Sequence, residues 1–134
     1  IGVLSHDPPL GHITTFGGHP LSCAAGMAAL NIIVRDNLPA RAAESGAAIM
    51  TGLRDLDAPE ISALRGIGAL IGIEFRDAAT AHRFVAETIS RSVVINWTLN
   101  AGSVVRIAPP LTINTGEIDF ALGAMRDALD AIRD

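Results

Sequence analysis

The chain has 134 residues and a mass of 13.9 kDa, a length that suits one domain with a core of its own. Apolar residues make up 49% and charged residues 18%, a balance that excludes disorder by composition. The net charge of −4, with a pI near 5.4, argues against a phosphate backbone as partner, so no nucleic acid is expected.

Residues 1–19 hold Pro8, Pro9, Gly11, Gly17, Gly18 and three of the four histidines, and read as an irregular, extended lead-in. Pro20 suits a first helical position, and an Ala-rich helix is expected from Leu21 to Arg35, punctuated by Asn37. Ala24, Ala28 and Ile32 fall on one face, small enough for close approach by a neighbouring element. A second helix is expected from Pro39 to about Leu56, with Ile49, Leu53 and Leu56 as its apolar stripe. Pro59 closes the connection to a short strand, Ile61 to Arg65. The run Ala69 to Phe75 reads as a buried strand, with a tight turn at Gly66-Ile67-Gly68 before it. Asp77 can cap a third helix over 78–91 that turns Val85 and Ile89 inward. Val93 to Asn96 and Val104 to Ile107 are β-branched runs split by a turn around Asn100-Ala101-Gly102. Pro109-Pro110 ends the last strand. Asn114 with Glu117 resembles a capping box. Ile118, Leu122, Met125, Leu129 and Ile132 then step by the alternating fours and threes of an amphipathic helix. The order predicts an α+β fold, a small, mostly antiparallel sheet with helices packed on it.

No apolar run approaches the ~18 residues of a membrane span, no basic-then-apolar leader is present, and the single cysteine, Cys23, has no internal partner. A cytoplasmic protein away from membranes is expected. Cys23 itself reads as a small core residue of the first helix. His6, His12, His19 and His82 follow no ligand spacing, so no metal is expected. Trp97 reads as packing or interface, and Glu74 with Glu87 form no recognisable catalytic pair.

Two segments have the composition of a binding site. In Thr14-Thr15-Phe16-Gly17-Gly18-His19-Pro20, two hydroxyls and two glycines precede a helix start. Hydroxyl donors, close backbone approach and a helix N-terminus suit an anion such as phosphate. The same residues suit a Ser/Thr turn followed by a helix cap. In Val104-Val105-Arg106-Ile107-Ala108, strand alternation puts Arg106 on a face with Val104 and Ala108. A guanidinium there wants a carboxylate or phosphate, ideally bidentate. An exposed ion pair with Glu74 would satisfy it equally well. All ten basic residues are arginine, so chemistry that needs a side-chain amine cannot be completed by this chain alone. The first residue is Ile1 rather than Met, which leads us to expect a fragment.

Three blocks, HITTFGGHPLSCAAGMAALNII, RGIGALIGIEF and VVRIAPPLTINTGEID, resemble in order and approximate spacing the C-terminal portion of class III pyridoxal-phosphate-dependent aminotransferases, the group of acetylornithine, ornithine and putrescine aminotransferases. The resemblance implies the small C-terminal domain of fold-type I enzymes over residues 20–134, with its connecting helix. Residues 1–19 would then be a lead-in belonging to the large domain's active-site region. It implies that Thr15, with Thr14 beside it, binds the cofactor phosphate of a neighbouring subunit in a homodimer. It implies that Arg106 binds the substrate's α-carboxylate, with Phe16 and Gly17 close to the substrate. Pyridoxal 5′-phosphate would serve the intact enzyme and not bind this chain alone. The partners would be an amino acid or ω-amine and a 2-oxo acid. The family often has Asn where His19 stands. Its Schiff-base lysine, its pyridine-nitrogen aspartate and its ring-stacking aromatic all lie upstream of the Thr-Thr-Phe loop and are absent here, so no catalytic residue is assigned. The expectation is therefore the inactive C-terminal segment of an aminotransferase. The alternatives are a non-catalytic module that dimerises through the lead-in and Ala-rich helix, and a fragment of a related aminomutase or decarboxylase.

Overall fold

The structure, a computed structural model, describes residues 14–133 and divides the chain into two compact units, 1–37 and 38–134. The rest of the lead-in, with His6 and His12, lies outside the described residues.

In the first unit, α1 (Pro20–Arg35) starts with proline at the first helical position, where the missing N–H costs nothing. It stops at Asp36, and Asn37 takes a left-handed conformation at φ 46°. None of its side chains is buried. Cys23, expected in a core, is exposed, because the small face of α1 has no element of its own unit to pack on among the described residues.

In the second unit the elements follow as α2 (Leu38–Arg54), β1 (Ile61–Ile67), β2 (Leu70–Phe75), α3 (Ala78–Ser90), β3 (Asn96–Thr98), β4 (Ala101–Ile107) and α4 (Thr115–Arg133). With α1 there are four helices among the described residues, and an open four-stranded antiparallel sheet of order β1-β2-β4-β3 makes this the α+β arrangement predicted. Of the three helices of this unit, α2 and α3 pack on the sheet, and α4 packs on both of them. Alternation on β2 and β4 sends Ile71, Ile73, Phe75, Val105 and Ile107 toward those helices. There they meet Ile49 and Leu53 of α2, Phe84 and Val85 of α3, and Ile118, Met125, Leu129 and Ile132 of α4. The other sheet face carries Arg65, Gly72, Glu74, Val104, Arg106 and Asn96.

Two side chains differ from the reading of periodicity. Ile89 is 48% exposed, and the inner face of α3 is Ala81, Phe84, Val85 and Thr88. Thr88 is fully buried because its hydroxyl donates to the Phe84 carbonyl at 2.7 Å. The strand expected at Val93 to Asn96 forms later, at Asn96–Thr98. Ser92 has φ 67° and the Val93 N–H donates back to the Thr88 carbonyl at 3.2 Å, so residues 93–95 are spent leaving α3. The following turn is correspondingly tight, with Thr98 paired to Ala101, and Gly102 lies inside β4.

The tight turn expected at Gly66-Ile67-Gly68 falls at Gly68-Ala69 instead, with Gly68 at φ 53°, because Gly66 and Ile67 pair with Ile71 and Leu70 and extend β1. Its packing partner was not legible in the pattern. Gly46 on α2 lies against the Gly68 backbone so closely that a Cβ would overlap the carbonyl group.

Candidate functional site

Each group of candidate residues is described within its own unit. Residues 14–17 form a turn in which the Gly17 N–H donates to the Thr14 carbonyl at 3.4 Å and the His19 N–H to the Phe16 carbonyl at 3.1 Å. Thr14 Oγ1 occupies the space a Cβ on Gly17 would need, so the turn suits glycine at that position. Phe16 is 74% exposed and meets the edge of the His19 ring at 6.4 Å. His19 is the N-cap of α1, its Nδ1 accepting from the Leu21 N–H at 3.3 Å. That cap changes the anion reading. Pro20 has no N–H and the Leu21 N–H is already used, so the helix start offers little to an anion. The side-chain donors left in the turn are the Thr14 and Thr15 hydroxyls, both exposed and without a hydrogen bond among the described residues. A hydroxyl beside a glycine turn fits one edge of a phosphate group.

In the second unit Arg106 lies on β4, opposite Gly72 on β2 and Asn96 on β3. It is exposed, and the sheet face it shares carries no helix of this unit. The expected alternative partner, Glu74, forms its ion pair with Arg65 of β1 instead. Arg106 has no ion pair among the described residues. An unpaired guanidinium with Gly72 on one flank and an amide on the other can take a carboxylate bidentately. Just past it, Pro109-Pro110 contribute to a cleft of about 220 Å³ with apolar walls from Ile49, Ile118, Leu122 and Met125. Arg106 touches the rim of this cleft, but strand alternation directs its side chain to the opposite face, so cleft and guanidinium are neighbours and not one site.

Trp97, 39% exposed, stacks on His82 of α3 with ring centroids 4.3 Å apart, a packing contact at the β3 edge. Glu87 pairs with Arg91 at 2.7 Å and does not approach Glu74's partner set. No group of three or more histidine, cysteine or acidic side chains comes together among the described residues. None of their helices is long and apolar enough to cross a membrane.

Electrostatic perturbations fall on structural positions. Asp77 caps α3, and hydrogen bonds from the Thr80 N–H and hydroxyl, at 2.8 and 3.0 Å, hold its carboxyl below the usual range. Glu60 is likewise lowered, chiefly by hydrogen bonding from Arg133, whose Nε and Nη2 reach its two oxygens at 3.0 and 3.1 Å.

A family model for class III aminotransferases matches residues 3–129. Among solved structures, an ornithine aminotransferase from Toxoplasma gondii superposes with a TM-score of 0.82 at 30% identity, covering 93% of this chain and 30% of that one. An acetylornithine aminotransferase from Elizabethkingia anophelis gives 0.83 at 28% identity, covering 92% and 33%. An (S)-enantioselective omega-transaminase from Thermomicrobium roseum gives 0.80 at 28% identity, covering 98% and 32%. The chain thus spans about a third of the length of the structures it matches. With the three sequence blocks, the sheet that carries Arg106 and the turn that carries Thr15 all within the matched span, the chain belongs to the class III aminotransferases.

Proposed function

We propose that this chain is the C-terminal segment of a pyridoxal-phosphate-dependent enzyme that moves an amino group between an amino acid or ω-amine and a 2-oxo acid. Residues up to His19 belong to the large domain's active-site region, and residues 20–134 are the small domain with α1 as its connecting helix. The observation that carries the reading is the unpaired Arg106, facing outward from a sheet face whose only strand carboxylate among the described residues is engaged by Arg65.

In this reading Arg106 takes the substrate carboxylate in its guanidinium fork and fixes the substrate's orientation. Thr15 donates its hydroxyl to a phosphate oxygen of the cofactor held in the other subunit of a homodimer. Phe16 and Gly17 border the substrate, and Thr14 braces the turn. The cofactor, when bound, supplies the electron sink that acidifies the substrate's α-carbon. The side-chain amine that this chemistry would need cannot come from this chain, because the sequence has no lysine. The chain alone is therefore inactive. The protein acts in the cytoplasm, with substrates of both kinds reaching it in solution.

In the intact enzyme, Arg106→Ala is expected to lower kcat/KM for an amino acid by about 10- to 100-fold, the worth of a charge-assisted bidentate contact. An amine donor without a carboxylate should be little affected. Equal loss with both donors would refute the clamp. Incubating the chain alone with pyridoxal phosphate, reducing with borohydride and mapping by mass spectrometry should find no pyridoxyl-modified side chain and no transamination. A modified internal side chain would refute the division of labour.

A second reading has its own observation. Met27, Leu30 and Val34 recur along one side of α1, are 58%, 53% and 71% exposed, and would suit a dimerisation module without catalysis. A clean monomer by sedimentation at high concentration would count against it. Aminomutase and decarboxylase relatives differ in pocket residues, and product analysis of the intact enzyme separates them.

A further inference from the structure

Two arginines share one register row on the sheet face that bears no helix of this unit. Arg65 of β1 and Arg106 of β4 both stand opposite Gly72 of β2. With strands about 4.8 Å apart, their backbones are roughly 10 Å apart, and Gly72 puts no side chain between them. Glu74 stands two residues along β2, opposite Ala63 and Val104, which makes it diagonal to both arginines. Diagonal neighbours lie about 7–8 Å apart at the backbone, within reach of long side chains. One carboxylate therefore has two guanidinium groups to choose from, and it is bonded to Arg65.

We propose that Arg65 is a positioning residue that keeps Arg106 available to an incoming carboxylate by holding Glu74 on the β1 side. This rests on the reading of Arg106 as a carboxylate clamp. Glu74 is tethered to the same sheet and always present, so it is a standing competitor for Arg106. Without Arg65, Arg106 is the remaining arginine carried by a strand on this face. The competing pair would be solvent-exposed and hence weak, so the expected effect is modest, about two- to fivefold in carboxylate affinity.

The test follows the Arg106 side-chain Nε–Hε resonance in the ¹⁵N-labelled chain. In the unmodified chain this signal should stay nearly constant across the carboxylate titration range. In Arg65→Ala it should move with the ionisation of Glu74, and the affinity for glutarate, read at the same resonance, should fall about two- to fivefold. In Arg65→Ala/Glu74→Gln both properties should return to those of the unmodified chain. A merely structural role for Arg65 would leave the double variant as impaired as the single one, and that result overturns the proposal, as does an Arg106 signal indifferent to pH in Arg65→Ala. The clamp reading fails separately, on the kinetics of Arg106→Ala with and without a substrate carboxylate.

Discussion

At the residue scale, the helix starts rest on a few local contacts. The Asn114 side chain accepts from the Glu117 N–H at 3.0 Å while Glu117 accepts from the Asn114 N–H at 2.9 Å, the reciprocal box that starts α4. Asn114→Ala is expected to cost about 1 kcal/mol, measurable by urea denaturation. Asp77 starts α3 in the same manner, and there the pH dependence has a definite sign. Its carboxyl is lowered in the fold, so its contribution is complete above the unfolded value and is lost as pH falls through the folded one. Asp77→Asn should keep the cap and flatten the acid limb of the melting profile, whereas Asp77→Ala should lower the melting temperature at neutral pH too. Gly46 is the least replaceable of these positions. Alanine favours helix by about 1 kcal/mol, yet its methyl group would meet the Gly68 carbonyl. Gly46→Ala should therefore be net destabilising by about 1–3 kcal/mol, since both neighbours are backbone.

At the scale of elements, the sheet works as a divider. One face is built from Ile71, Ile73, Phe75, Val105 and Ile107 and is covered by helices; the other presents charged and small residues on the same strands. A one-residue slip of β4 would bury Arg106 and expose Val105, so the burial of this one face fixes the register on which the clamp depends. Phe84 on α3 contacts Phe75 with ring centroids 4.9 Å apart at the centre of that core. Phe84→Ala is expected to cost about 3–5 kcal/mol, read as a fall in the denaturation midpoint.

At the scale of the whole molecule, the second unit is closed by an ion pair between distant parts of the chain. Arg133, at the end of α4, holds Glu60 in the segment before β1 through two parallel hydrogen bonds. Pairing lowers the Glu60 carboxyl, so this tie is complete at neutral pH and fades as pH falls below the usual carboxylate range. Arg133→Ala should lower the melting temperature slightly at neutral pH and weaken its acid dependence. At this scale, too, the chain is about a third of the matched structures, and the proposed division of chemistry follows from which groups this third carries.

What was legible in the sequence follows from local physics. Three of the four helix starts among the described residues carry their chemistry in the residues beside them: Pro20 for α1, Asp77 for α3, Asn114 with Glu117 for α4. Hydrophobic periodicity gave the buried sides of α4 and β2, because a repeat of 3.6 or 2 needs no partner to be read. The order of elements and the α+β class follow from the same signals. Ile89 and Cys23 depart from it because burial depends on what lies opposite, and an exposed side of a helix has the same local geometry as a covered one. The candidate site divides in the same way. That Thr15 and Arg106 could meet anions is a property of their own groups and neighbours in sequence. That His19 and Pro20 use up the helix start, and that Glu74 turns to Arg65 and leaves Arg106 unpaired, was decided only by the tertiary structure, since which charge finds which partner depends on strand register and on distances between residues far apart in the chain.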